Sequence, residues 1–321
     1  MFSREVLRID SRQVAEHIET NIRQEVMGDL RRRGAVVGIS CGIDSSVVAT
    51  LCAAALGPEL VFGLLMPDRD SSGDAFQLGR MLAEHLGIRY VVEDLTEALT
   101  VLGCYDRQLE AIQMVFPEYG DGWCCKLVLP SLLEGDRLNV ALLTVADLER
   151  NERSSRMPPA AYLQMVAATN FKQRTRTMMA YYHADRLHYA VAGTPNLVEH
   201  DQGFFVKQGD WTADFKPIAH LYKTQVYALA EYLEVPQEIL AREPTTDTFS
   251  LSQTQEEFYF AVPYREMDLC LWALNHGVPA REAGPAIGLT VEQVERVFRD
   301  LEAKRRVSQY QHHLPTLLSQ L

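Results

Sequence analysis

An apolar run, Val36-Val37-Gly38-Ile39, stops abruptly at Ser40-Cys41-Gly42-Ile43-Asp44-Ser45-Ser46, and apolar sequence then resumes as far as Leu56. This pattern reads as a buried strand turning sharply into a helix. The first backbone N–H groups of such a helix have no partner within it and face any anion placed there. Ser40, Ser45 and Ser46 add hydroxyl donors, so the chemistry on offer is the cradling of phosphate. Asp44 would repel a bare phosphate, and it is accounted for if a divalent cation lies between carboxylate and phosphate. The plain alternative is an ordinary strand-to-helix turn with Asp44 as its cap, because short Gly/Ser motifs recur by chance.

The loop resembles the S-G-G-x-D-S pyrophosphate loop of the ATP pyrophosphatases, which cleave ATP between the α and β phosphates and transfer AMP. Other segments make the resemblance more specific. Gly193-Thr194-Pro195-Asn196-Leu197-Val198-Glu199, Gly203 to Asp210, Ala213 to Ile218 and Leu221 to Val226 resemble, in order, four motifs of the NAD synthetase family. These are G-T-x-N-x-x-E, G-F-F-x-K-x-G-D, A-D-x-x-P-[IL] and L-x-K-T-Q-V. Asn170 to Arg176, Arg242 to Asp247, Ser252-Gln253-Thr254 and Pro263-Tyr264 with Asp268 are similar to further family segments.

The resemblance implies ATP and Mg²⁺. It implies ATP contacts from Gly38, Ser40, Gly42, Asp44, Ser45, Ser46, Met66, Arg174, Thr194, Lys207 and Thr245. Mg²⁺ ligands would be Asp44 and Glu199, and contacts to the second substrate would come from Asn170, Lys172, Asp210, Trp211, Asp214 and Phe258. Asp44, Lys207 and Thr245 are the expected catalytic group. The residue types suit these roles, since two carboxylates can reach one hard cation from two directions and a lysine is a compact point charge for phosphate. Without the flanking motifs, Glu199 would read as a solvated helix carboxylate and Lys207 as a surface lysine. The implied reaction adenylates the carboxylate of deamido-NAD, releasing pyrophosphate, and ammonia then displaces AMP. No cysteine lies near the N-terminus as an amidotransferase nucleophile, so ammonia is expected free or from a separate glutaminase. A homodimer is the family expectation.

Several positions depart from the family pattern. Cys41 replaces a glycine, which is costly if that position needs a positive φ. Phe258-Tyr259-Phe260 stands where the family has a small turn, and Trp211-Thr212 where it has two glycines. Residues 96–158 form a longer connection carrying Tyr105, Phe116, Tyr119 and Trp123. Bulk at several points around one crevice keeps a second reading open, an amide ligase acting on a different carboxylate. A third reading treats residues 279–297 as a DNA-binding helix-turn-helix, but Glu292, Glu295, Asp300 and Glu302 would face phosphates unfavourably.

These groups need elements to position them. Residues 34–40, 60–66 and 88–92 read as strands and 45–56 and 74–86 as helices, the alternation of a parallel sheet with crossover helices, a Rossmann-like α/β fold. Ser40 and Met66 then sit at carboxyl ends of strands, where such sheets bind ligands. Residues 160–185 read as a helix, 187–192 as a strand, and a helix starts near Lys223. Residues 236–321 read as mainly helical, so one domain with 96–158 as an insertion is expected. A net charge of −12 argues against a broad nucleic-acid face, and no long uncharged apolar stretch marks a membrane span. Six cysteines without paired spacing read as reduced thiols, and the charged first twenty residues do not read as a signal peptide, which points to the cytoplasm.

Overall fold

A computed structural model describes residues 2–134, 141–246 and 248–318; Asp247, and residues 135–140 of the long connection, lie outside the described residues. Four parallel strands, β1 (Ala35–Gly38), β2 (Val61–Leu65), β3 (Arg89–Val92) and β7 (Ala190–Ala192), lie in the order β3-β2-β1-β7. β1 and β2 are near-continuous apolar runs, as strands covered on both faces must be. Helix α2 (Ile43–Leu56) follows β1, and α3 (Gly73–Leu86) follows β2. α2 is apolar nearly all round because α1 (Ser11–Arg23) and α8 (Lys223–Tyr232) enclose it on the side away from the sheet. The 29-residue α6 (Pro159–Leu187) covers the other face, setting Ala180 and Ala184 against Val36, Phe62 and Leu64.

Two features differ from the sequence reading. First, α2 starts at Ile43, because Gly42 is extended (φ −77°, ψ 156°) and ends the turn two residues early. Second, the 96–158 connection is folded. It contains α4 (Thr96–Val101), α5 (Cys104–Gln113) and an antiparallel sheet of β4 (Cys124–Val128), β5 (Leu142–Ala146) and β6 (Glu152–Arg156) in the order β4-β5-β6. Cys125, Leu127, Leu143 and Val145 alternate onto its inner face and pack on Met157, Ala161, Met165 and Phe249. β6 reads Glu-Arg-Ser-Ser-Arg, with no apolar alternation to announce a strand.

The C-terminal part holds α9 (Gln237–Leu240), α10 (Tyr264–Asn275), α11 (Ala280–Ile287) and α12 (Val291–His312). The described residues between Ala241 and Thr254 are not helical, contrary to a mainly helical reading, and Pro244 opens that stretch. α11 and α12 turn at Gly288, in the left-handed region, and Thr290 caps α12 by accepting from Gln293 N at 3.2 Å. Val294, Val297 and Leu301 bury α12 in a core shared with Met267 and Leu271. Two of its basic residues are ion-paired within the chain, Lys304 with Asp300 (2.7 Å) and Arg305 with Asp201 (2.6 Å).

Candidate active site

In the order β3-β2-β1-β7 the connections diverge to opposite sides between β1 and β7, and a crevice opens there at the carboxyl ends of the strands. Asp44 enters it from the first turn of α2. Asn196 and Glu199 enter from α7 (Leu197–Gln202), which follows β7. Asn196 is completely buried and serves two purposes. Its Oδ1 caps α7, accepting from Val198 N (2.9 Å) and Glu199 N (3.1 Å), while its Nδ2 donates to Asp44 Oδ1 at 3.0 Å. Glu199 closes the capping box by accepting from Asn196 N at 3.1 Å. One asparagine thus fixes both carboxylates.

Lys223, 1% exposed at the start of α8, donates its Nζ to Asp44 Oδ2. Burial raises the Glu199 carboxyl, Asp44 raises it further, and Lys223 pulls it partly back. Burial lowers Lys223, but Asp44 and Glu199 outweigh this and its pKa is raised. Two carboxylates beside one ammonium leave an excess of negative charge in a dry place, which a cation would neutralise. No group of three or more His, Cys, Asp or Glu side chains arranged to hold a metal occurs among the described residues. Asp44 and Glu199 are two carboxylates that could hold a hard divalent cation, with substrate phosphates completing its shell.

The loop after β1 fits an anion. Gly42 caps α2 with no side-chain bond, leaving the first-turn N–H groups uncapped by any side chain. Ser45 and Ser46 each donate Oγ to Gly42 O at 3.0 Å, and Ser40 N donates to Ser45 Oγ at 3.3 Å. Ser46 is fully buried, so its hydroxyl serves the turn. A Cβ at Gly38 would lie 3.4 Å from Met66 Cε, so the loop and the end of β2 adjoin as expected.

Other expected site residues are dispersed. Thr194 follows β7 beside Asn196, and Thr245 pairs with Thr254 while its Oγ1 accepts from Arg242 at 3.3 Å. Lys207 points to the end of α12, donating to Tyr310 O at 2.9 Å, and its own carbonyl accepts from Arg174 at 3.3 Å. Lys172 donates to Asp68 (3.0 Å), Asp70 (2.7 Å) and Thr248 O (3.0 Å), an enclosed ion cluster that also takes Arg176 on Asp68 (2.7 Å). Asp210 is exposed and accepts from Val206 N at 2.6 Å, a bond that closes its own loop. Asp214 anchors its loop, accepting from Val191 N (2.7 Å) and Tyr181 Oη (3.2 Å). Trp211 stacks between Phe205 (4.2 Å) and His200 (5.0 Å), with Lys216 Nζ 3.4 Å from its ring centroid. Phe258 packs edge-on to Phe249 at 5.8 Å, and Asn170 is half-buried on α6. Sequence reasoning missed Lys223, Asn196 and Gln255, whose Nε2 lies 3.5 Å from Glu199 Oε1. Lys223 and Asn196 stand inside recognised motifs, and the need for a cation near two acids was the available signal.

The sequence model of the family described as NAD synthase matches residues 14–114 and 138–315. The NH(3)-dependent NAD(+) synthetase of Mesorhizobium japonicum is 59% identical over 312 residues, 97% of this chain and 98% of that protein. The protein of the same name from Rhizobium meliloti is 52% identical over 318 residues, covering 99% and 95% of the two chains. Among solved structures, the NH3-dependent NAD synthetase of Campylobacter jejuni, in complex with the nitrate ion, superposes with a TM-score of 0.63 at 22% identity, covering 97% of this chain and 100% of that one.

Proposed function

The chain belongs to the NAD synthase family, and on that premise we propose that it makes NAD from deamido-NAD, ATP and ammonia. The observation that carries this, beside the 59% identity over nearly the whole of both chains, is the meeting of Asp44, Asn196, Glu199 and Lys223 at the head of an uncapped helix.

In the first step a carboxylate oxygen of the nicotinate attacks the α-phosphorus of ATP. The bond from that phosphorus to the bridging oxygen breaks, and pyrophosphate leaves with the electron pair. Charge moves onto the leaving group, and the first-turn N–H groups of α2 with Lys223 are aimed to stabilise it. Asp44 and Glu199 would hold Mg²⁺, which when bound would neutralise part of that charge. Lys223, held on Asp44, adds positive charge beside the two carboxylates, and Lys207, whose Nζ donates to Tyr310 O, stays the proposed phosphate contact. In the second step ammonia adds to the acyl carbon, AMP leaves, and one proton is lost.

The reading with a different acid loses its main support. Trp211 and Phe258, the residues that would have refilled the pocket, are engaged in aromatic packing. Ammonia is taken free or from a separate glutaminase, and a homodimer is the proposed assembly. The cytoplasm is the proposed compartment. The test is incubation with ATP, Mg²⁺, ammonia and deamido-NAD. NAD, AMP and pyrophosphate should appear in equal amounts. ADP with orthophosphate would overturn the pyrophosphatase chemistry, and conversion of other carboxylates with deamido-NAD untouched would overturn the substrate.

A further inference from the structure

Residues 115–137 fall between the two stretches that match the family, and β4 lies within them. We propose that β4 braces the turn carrying Thr245 and holds it in its binding form before nucleotide arrives. The inference rests on the reading of Thr245 as a nucleotide contact.

The chain around Thr245 doubles back. Thr245 and Thr254 form an antiparallel bridge, Thr246 N donates to Gln253 O (3.2 Å), and Gln255 N donates to Pro244 O (2.9 Å). So short a pairing is marginal in water by itself. Its returning limb is held along β4 instead. Cys125 N donates to Ser250 Oγ (3.0 Å), Leu251 N to Cys125 O (3.0 Å), Gln253 Nε2 to Leu127 O, and Leu129 N to Glu257 O (2.8 Å). Beneath these bonds Phe249 and Phe258 join the apolar cluster of Cys125, Leu127, Leu143 and Val145. On the far side Lys172 Nζ donates to Thr248 O at 3.0 Å. Gln255 extends from the same limb towards Glu199.

Phe258, the first residue of the aromatic run, and the extra sequence that contains Phe116, Tyr119 and Trp123 are therefore one packing unit. A loop ordered only on binding weakens its ligand by the cost of ordering, and a braced one does not.

Hydrogen exchange of the full chain, with and without ATP and Mg²⁺, tests this directly. Amides of 248–257 in the unaltered protein should be as protected without nucleotide as with it. In a Ser250→Ala/Gln253→Ala double variant they should exchange at least about tenfold faster until ATP is added, and the KM for ATP should rise about tenfold with kcat and the KM for deamido-NAD within about twofold. Free exchange across 248–257 in unaltered protein lacking ATP would overturn the proposal, whether or not the double variant folds. So would unaltered exchange and ATP KM in a folded double variant. A Thr245→Ala variant with unchanged ATP KM would remove the nucleotide reading of Thr245, and the proposal with it, while leaving the exchange pattern intact, so the two failures are told apart.

Discussion

Cys41 has φ at 68°, a left-handed backbone where an L-residue is disfavoured by about 1–2 kcal/mol. Its side chain offsets part of that cost. The Sγ is buried, donates to Ala75 O, and occupies room left by Gly79, where a Cβ would come within 2.8 Å of the sulfur. Cys41→Gly removes the strain but empties the space, whereas Cys41→Ala empties the space and keeps the strain. The alanine variant should therefore be less stable than the glycine variant by about 1 kcal/mol in denaturant unfolding. Equal midpoints and slopes would show that the backbone at this position carries no strain. Gly79 is thus the partner of an unusual loop residue, a pairing invisible in the order of the motifs.

At the scale of elements, α8 is oriented by a residue of another helix. Asp268 on α10 is completely buried and accepts from Thr224 N at 2.7 Å, capping the helix that starts with Lys223. Burial pushes its carboxyl from an ordinary 3.8 up to about 6. Because the folded-state value is raised, the folded protein binds the proton more tightly. The associated stability is whole below pH 3.8 and is lost as pH rises through 6. The loss amounts to about 3 kcal/mol, from roughly two pKa units. Asp268→Asn keeps an acceptor for Thr224 N and removes the titration. Relative to the unaltered protein, the variant should gain unfolding free energy between pH 4 and 7, up to about that amount. A difference that stays constant over this range would rule out the buried carboxyl as its source.

At the scale of the molecule, α6 carries large apolar side chains that stay exposed among the described residues. Leu163, Met178 and Tyr182 are 66%, 59% and 58% exposed and fall within about 100° of arc, with Arg174 on the same face. A second copy is the occupant expected of a homodimer, and it would bring Arg174 to the subunit boundary. Sedimentation equilibrium should give twice the monomer mass, and Met178→Glu/Tyr182→Glu should give the monomer. A dimer unaffected by both changes would place the interface elsewhere.

The alternation of strands and helices to residue 92, the phosphate loop and the family segments were legible from sequence. Each depends on neighbours in the chain: apolar runs of strand length, small residues at a turn, motifs in order. The small antiparallel sheet was not legible, because polar β6 is a strand only by its pairing with β5. The site itself was half legible. Asp44 and Glu199 were marked by type and context, but the groups that fix and balance them were not. Asn196 reaches Asp44 across 152 residues and Lys223 reaches it across 179. Which acid a buried lysine answers, and whether an aromatic fills a pocket or a core, is decided by strand order and helix packing, because charge and contact act through space and not along the chain.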